Sequence, residues 1–106
     1  MAIFEGRERE FEARFKQDQD LQFRVKARRN RLLGLWAAER MGLAGEAAQA
    51  YAKEIVDAEF AGGDRHHVIE KICADLTAKG QHCTPAQVEF QLTHLGGTAK
   101  TQIMQE

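Results

Sequence analysis

The sequence predicts an all-α protein: a four-helix bundle preceded by a mobile N-terminal arm. Three observations carry this. Apolar residues recur at three- and four-residue steps through most of the chain, and no run alternates as a strand would. Glycines at 42, 62–63 and 80 cut the chain into helix-length pieces. The first 19 residues are dense in charge, yet they carry three phenylalanines that a bundle of this size cannot shelter. The expected division is residues 1–19 as arm and residues 20–106 as bundle.

In the arm, Phe4, Phe11 and Phe15 lie seven and four residues apart, so they would line one side of a helix. Glu5, Arg9, Glu10 and Arg14 alternate in sign on the polar side and offer weak pairs of about 0.2–0.5 kcal/mol each. Asp18 or Asp20 can cap the helix that follows. That first helix is expected over 20–41, with Gly42 as its stop. Its front half is basic, with Arg24, Lys26, Arg28, Arg29 and Arg31 inside eight residues. Its back half is apolar. Leu21, Val25, Leu32 and Trp36 recur at helical spacing and mark an inward stripe, with the single tryptophan as a core anchor. Gly34 costs this helix about 1 kcal/mol of propensity.

A second helix is expected over 46–61, burying Ala48, Tyr51, Ile55 and Val56 before Gly62-Gly63 ends it. Asp64 is a good N-cap for a third over 65–79, with Val68, Ile69, Ile72, Cys73 and Leu76 inward and Gly80 as its stop. The fourth start is the sharpest signal. Thr84-Pro85-Ala86-Gln87 combines an N-cap, a proline at the first helical position and the reciprocal glutamine of a capping box. Val88, Leu92, Leu95, Ala99 and Ile103 continue the stripe, and Gly96-Gly97 is a weak point where this helix can kink.

Length separates arm from bundle. Helices two and three, at about 16 residues, are about 24 Å long. A first helix continued back to Phe4 would reach about 57 Å. A bundle of these dimensions covers only the part after residue 20. Such an uncovered segment is expected to be disordered or fraying alone and helical when a partner covers its rings; the plainer alternatives are a loose tail with stray aromatics or a tail folded back on the bundle.

Composition excludes several classes. With 106 residues there is room for one domain and a modest core. The net charge of −1 gives no global pull toward nucleic acid or acidic lipid. It is unevenly spread, however. Residues 1–31 hold nine Lys/Arg against six acids, a net of +3, whereas the remainder is net −4. The front third is therefore the part suited to an acidic partner. Two cysteines ten apart are no disulfide framework and fit a reducing compartment. The opening residues lack the apolar run of a signal peptide. The longest apolar stretch, Leu32 to Ala38, is far below the ~20 residues that span a bilayer. A cytoplasmic protein with no membrane insertion is expected.

Catalytic chemistry is not signalled. His66, His67, Cys73, His82 and Cys83 lack the Cys-x-x-Cys or His-x-x-x-His spacing of familiar zinc sites, so no metal is expected. Gly96 to Thr101 lacks the glycine immediately before Lys100 that a phosphate loop requires, and no strand precedes it. The chain has no serine, and neither cysteine stands in a nucleophile context, so neither an enzyme nor a cofactor is expected. The basic stretch 24–31 is the one rival signal. It could neutralise phosphates, which makes a small helical nucleic-acid-binding protein the alternative function. The same cations could hold a free nucleotide weakly, and a merely solvated helix face is the plainest reading.

The segment RRNRLLGLWAAERMG, preceded by the Phe4-to-Phe15 pattern with its RERE core, resembles the zeta subunit family, inhibitors of alphaproteobacterial F-type ATP synthase. Tyr51-Ala52 and Ala74 to Leu76 extend the similarity over nearly the whole chain, and Gly96-Gly97 departs from it. The resemblance implies a bundle whose arm inserts at a catalytic alpha/beta interface of the soluble head, near the central-stalk gamma subunit, and blocks rotation in the hydrolytic direction. In that reading Phe4, Phe11 and Phe15 are hydrophobic anchors, and Arg7, Glu8, Arg9, Glu12 and Arg14 set register by charge. Arg24, Arg28, Arg29 and Arg31 brace the entry of the first helix against acidic residues of the head.

Overall fold

The computed structural model describes residues 18–106. The expected arm lies outside these residues, except for Asp18 and Gln19. Four helices follow one another: α1 Gln19–Arg40, α2 Gly45–Phe60, α3 Arg65–Ala78 and α4 Pro85–Gln105. The first three lie within one residue of their expected spans, α4 starts at the expected proline, and no strand occurs among the described residues.

The helix ends follow local chemistry. Asp18, not Asp20, caps α1 by accepting from the Leu21 amide at 3.2 Å. Asp64 accepts from the His67 amide at 3.0 Å. At Thr84 both halves of the capping box form: the Gln87 amide donates to the Thr84 hydroxyl, and the Thr84 amide donates to the Gln87 side chain. Gly42 adopts φ +80 and lets the Leu43 amide reach the Ala38 carbonyl at 2.9 Å, closing a Schellman motif. Leu43 then folds onto the core.

Helix α1 is the organising element, packing against α2 and α4 and, to a lesser extent, α3. Both main pairings run antiparallel, with Arg28 beside Gln102 and Gly34 beside Ala52. The principal core gathers Leu33 and Ala37 of α1 with Ile55, Ile72, Leu76 and Leu92 from the other three helices. A smaller cluster of Val25, Ala99 and Ile103, flanked by Leu21 and Leu32, closes the end where α1 begins.

The α1 stripe differs from the sequence expectation. Val25 is buried, but Leu33, Gly34, Ala37 and Ala38 carry the inward face further along, while Leu32 and Trp36 are only partly covered. The cause is packing on two sides. A helix wedged between two neighbours buries small residues where backbones come close, and a large ring fits only at the margin. Trp36 therefore packs on the core from its edge, with the Arg40 guanidinium 5.3 Å from the ring centre. Gly96 and Gly97 do not end α4, which runs on to Gln105.

Candidate partner interface

The basic half of α1 does not form a uniform free face. Arg29 turns inward to the Glu59 carboxylate, and both side chains are nearly enclosed, 12% and 11% exposed. The fully buried Asn30 joins them: its amide donates to Glu59 at 3.0 Å and its oxygen accepts from Arg29 Nε at 3.0 Å. Burial lowers the Arg29 pKa, partly offset by the Glu59 carboxylate. Arg24 and Arg28 converge on Glu106 at the end of α4, and Arg28 also donates to Gln102 at 2.8 Å. Arg31 is exposed and reaches Gln49 at 3.3 Å. Three of the four arginines proposed as partner contacts thus have a carboxylate within the chain, whereas Arg31 is exposed and bonds to the neutral Gln49.

The Glu106 clasp has a pH signature. Hydrogen bonding from Arg28, followed by the charges of Arg28 and Arg24, holds its carboxyl below the usual carboxylate range. A folded pKa lower than the unfolded one stabilises the protein above the unfolded pKa, and that contribution is lost as pH falls through the folded value. In a carbon-detected NMR titration, the Glu106 carboxyl should titrate below a free glutamate. Arg28→Gln should move the midpoint upward; an unmoved midpoint would show that the clasp does not form.

Sequence reasoning missed an aromatic pair. Phe23 and Phe60 stack with ring centroids 4.3 Å apart at the surface between α1 and α2. Both lie off the helical stripes, and the available signal was only that two large rings occupy positions expected to face water. A groove of about 350 Å³ runs beside them, lined by Arg24, Ala27, Arg28, Arg31, Val56 and Ile103 along with Phe23. A second groove, about 370 Å³, lies past the middle of α1 among Trp36, Arg40, His82, Cys83 and the exposed Phe90.

A sequence profile of the ATPase inhibitor subunit zeta family matches residues 1–102, which includes the Phe4-to-Phe15 stretch. The chain belongs to this family. A solution NMR structure resembles this zeta-family chain at a TM-score of 0.70 and 40% identity, covering 80% of this chain and 96% of its own. No curated protein matches the chain.

The remaining chemistry-bearing residues of this zeta-family chain have local roles. His66 lies 2.8 Å from Glu70 on the surface of α3. Cys73 donates to the Cys83 carbonyl at 3.2 Å, and burial, then the Cys73 thiol, pushes the Cys83 pKa up to about 11. Tyr51 donates to Asp75 at 2.8 Å; burial, reinforced by that carboxylate, raises its pKa far above the ordinary phenol. Among the described residues, no group of three or more His, Cys, Asp or Glu side chains is placed to hold a metal, and no helix is long and apolar enough to cross a membrane. The anchors Phe4, Phe11 and Phe15, and the charged Arg7, Glu8, Arg9, Glu12 and Arg14, lie outside the described residues.

Proposed function

We propose that this protein inhibits ATP hydrolysis by the catalytic head of an F-type ATP synthase. Residues 1–19 enter a catalytic alpha/beta interface near the central-stalk gamma subunit, fold there, and block rotation. The observation that carries this reading is the family match from residue 1 to 102, which takes in the charged aromatic stretch as well as the bundle.

Physical chemistry supplies the division of labour. Phe4, Phe11 and Phe15 lose water on entering a cleft, and the charges around them fix register. The bundle measures 50 × 29 × 27 Å, broader than the 10–12 Å of a single helix, so it stays outside as a stop. Arg24, Arg28 and Arg31 face the mouth of the cleft, while Arg29, held by Glu59, braces the helix from within. No catalytic role is required of any side chain. The nucleic-acid alternative is weakened because Glu106 and Glu59 already neutralise much of the basic stretch.

The test is to add the purified protein to the ATP synthase head and follow ATP hydrolysis. Inhibition by the native chain is expected. Phe11→Ala with Phe15→Ala should leave the melting curve unchanged and weaken inhibition by about thirtyfold or more, since a buried aromatic anchor is worth about 2 kcal/mol or more. Undiminished hydrolysis at saturating protein would end the proposal.

A further inference from the structure

Phe23 and Phe60 stack on one another, yet remain 51% and 38% exposed. The adjoining groove has an apolar lining of Ala27, Val56 and Ile103 and an edge of Arg24, Arg28 and Arg31. Glu106 answers two of these three cations, so the edge keeps a net positive charge. Phe23 stands five residues beyond the Asp18 cap, about 7.5 Å along α1.

We infer that the Phe23–Phe60 ridge and its groove are a second docking surface for the protein that receives the arm, fitting an apolar patch lipped by carboxylates on the catalytic head. This rests on the proposed function and adds a contact to it. Position argues for this occupant: whatever buries the chain up to Asp18 is brought within about two helical turns of Phe23. Chemistry agrees. Aromatic residues and arginine are enriched at protein interfaces, and an exposed apolar patch rimmed by charge marks a contact site. The ridge holds the bundle against the mouth after the arm has entered, so its loss should speed departure. Arg31 at the edge should speed arrival by steering. Phe90 is more exposed, at 69%, but lines the groove beside Trp36, about 20 Å further along α1 from Phe23. It serves as the internal control.

The test uses the full chain against the purified ATP synthase head, reading association and dissociation by surface plasmon resonance alongside ATP hydrolysis. Phe23→Ala with Phe60→Ala should raise the dissociation rate at least tenfold while retaining the wild-type helical circular dichroism. Phe90→Ala should change it less than twofold. Arg31→Glu should slow association several-fold at low salt, with the difference vanishing at high salt. An unchanged dissociation rate for the Phe23/Phe60 variant, while Phe11→Ala with Phe15→Ala does lose inhibition, overturns the ridge contact and leaves the inhibitor reading standing. Wild-type inhibition by that arm variant sinks the arm anchors themselves. Sedimentation showing a dimer that the Phe23/Phe60 change dissolves assigns the ridge to a second copy of the chain and overturns the inference. Amide shifts in residues 1–17 of the free protein on the same change would assign the ridge to the chain's own first residues and overturn it equally.

Discussion

Replacing Gly34 with leucine is expected to destabilise the protein by about 3 kcal/mol or more, because α1 and α2 touch backbone to backbone at this residue. A Cβ placed on Gly34 would lie 2.6 Å from the Ala52 Cα, 3.2 Å from Ile55 Cγ1 and 3.3 Å from the Ala52 Cβ. The first of these is main chain, so no rotamer change relieves it and the two helices must move apart. Moving them opens the principal core, since Leu33 and Ile55 flank the crossing and are fully buried. Helix propensity acts the other way. Exchanging glycine for alanine recovers about 1 kcal/mol in a helix interior, whereas overpacking costs about 1–3 kcal/mol. Gly34→Ala should therefore be a net loss of roughly 1 kcal/mol, and leucine much worse. Gly97 offers the contrast: nothing lies within 4 Å of its would-be Cβ, and its backbone is helical. Gly97→Ala should gain up to about 1 kcal/mol. Urea denaturation of the three variants checks both signs. A stabilised Gly34→Ala protein would show that the crossing is not tight.

That glycine also shows where sequence reading reaches its limit. The four helices were legible because their ends are written locally: Asp64, the Thr84–Gln87 box and the glycines at 42 and 80 each act within a few residues of themselves. The inward faces of α3 and α4 were legible because Val68, Ile72, Leu76, Val88 and Leu92 are both large and apolar. The face of α1 was less so. Gly34, Ala37 and Ala38 are small, and their burial follows from where Ala52 and Ile55 sit on another helix, which periodicity within α1 does not encode. The candidate site divides in the same way. Five cations in eight residues could be counted from the sequence, but their partners could not. Glu59 and Glu106 lie 30 and 78 residues away from Arg29 and Arg28, and only tertiary contact pairs them. The Phe23–Phe60 stack depends on the same antiparallel approach of α1 and α2.

Glu59→Ala is expected to cost about 3 kcal/mol, although Glu59 is not one of the apolar residues that make up the principal core. Its carboxylate is the acceptor for both Arg29 and Asn30. Removing it leaves a guanidinium only 12% exposed with no counter-charge, and leaves the amide of a fully buried asparagine without its acceptor. Arg65 lies close enough for its charge to act on Arg29, and that repulsion would no longer be answered. The position along α1 increases the effect. Asn30 falls between Val25 of the smaller cluster and Leu33 of the larger, so loosening it uncouples the two. A paired replacement separates the cost of an orphaned charge from the worth of the ion pair. Arg29→Met with Glu59→Leu removes both charges and should recover most of the lost stability, because a buried pair exchanged for apolar groups of similar size is often neutral or better. Chemical denaturation of the single and double variants measures the difference. Inhibition then distinguishes bracing from contact. If Arg29 acts only from within, the stable double variant should slow ATP hydrolysis as the native chain does. If Arg29 itself meets the partner, stability should return without full inhibition.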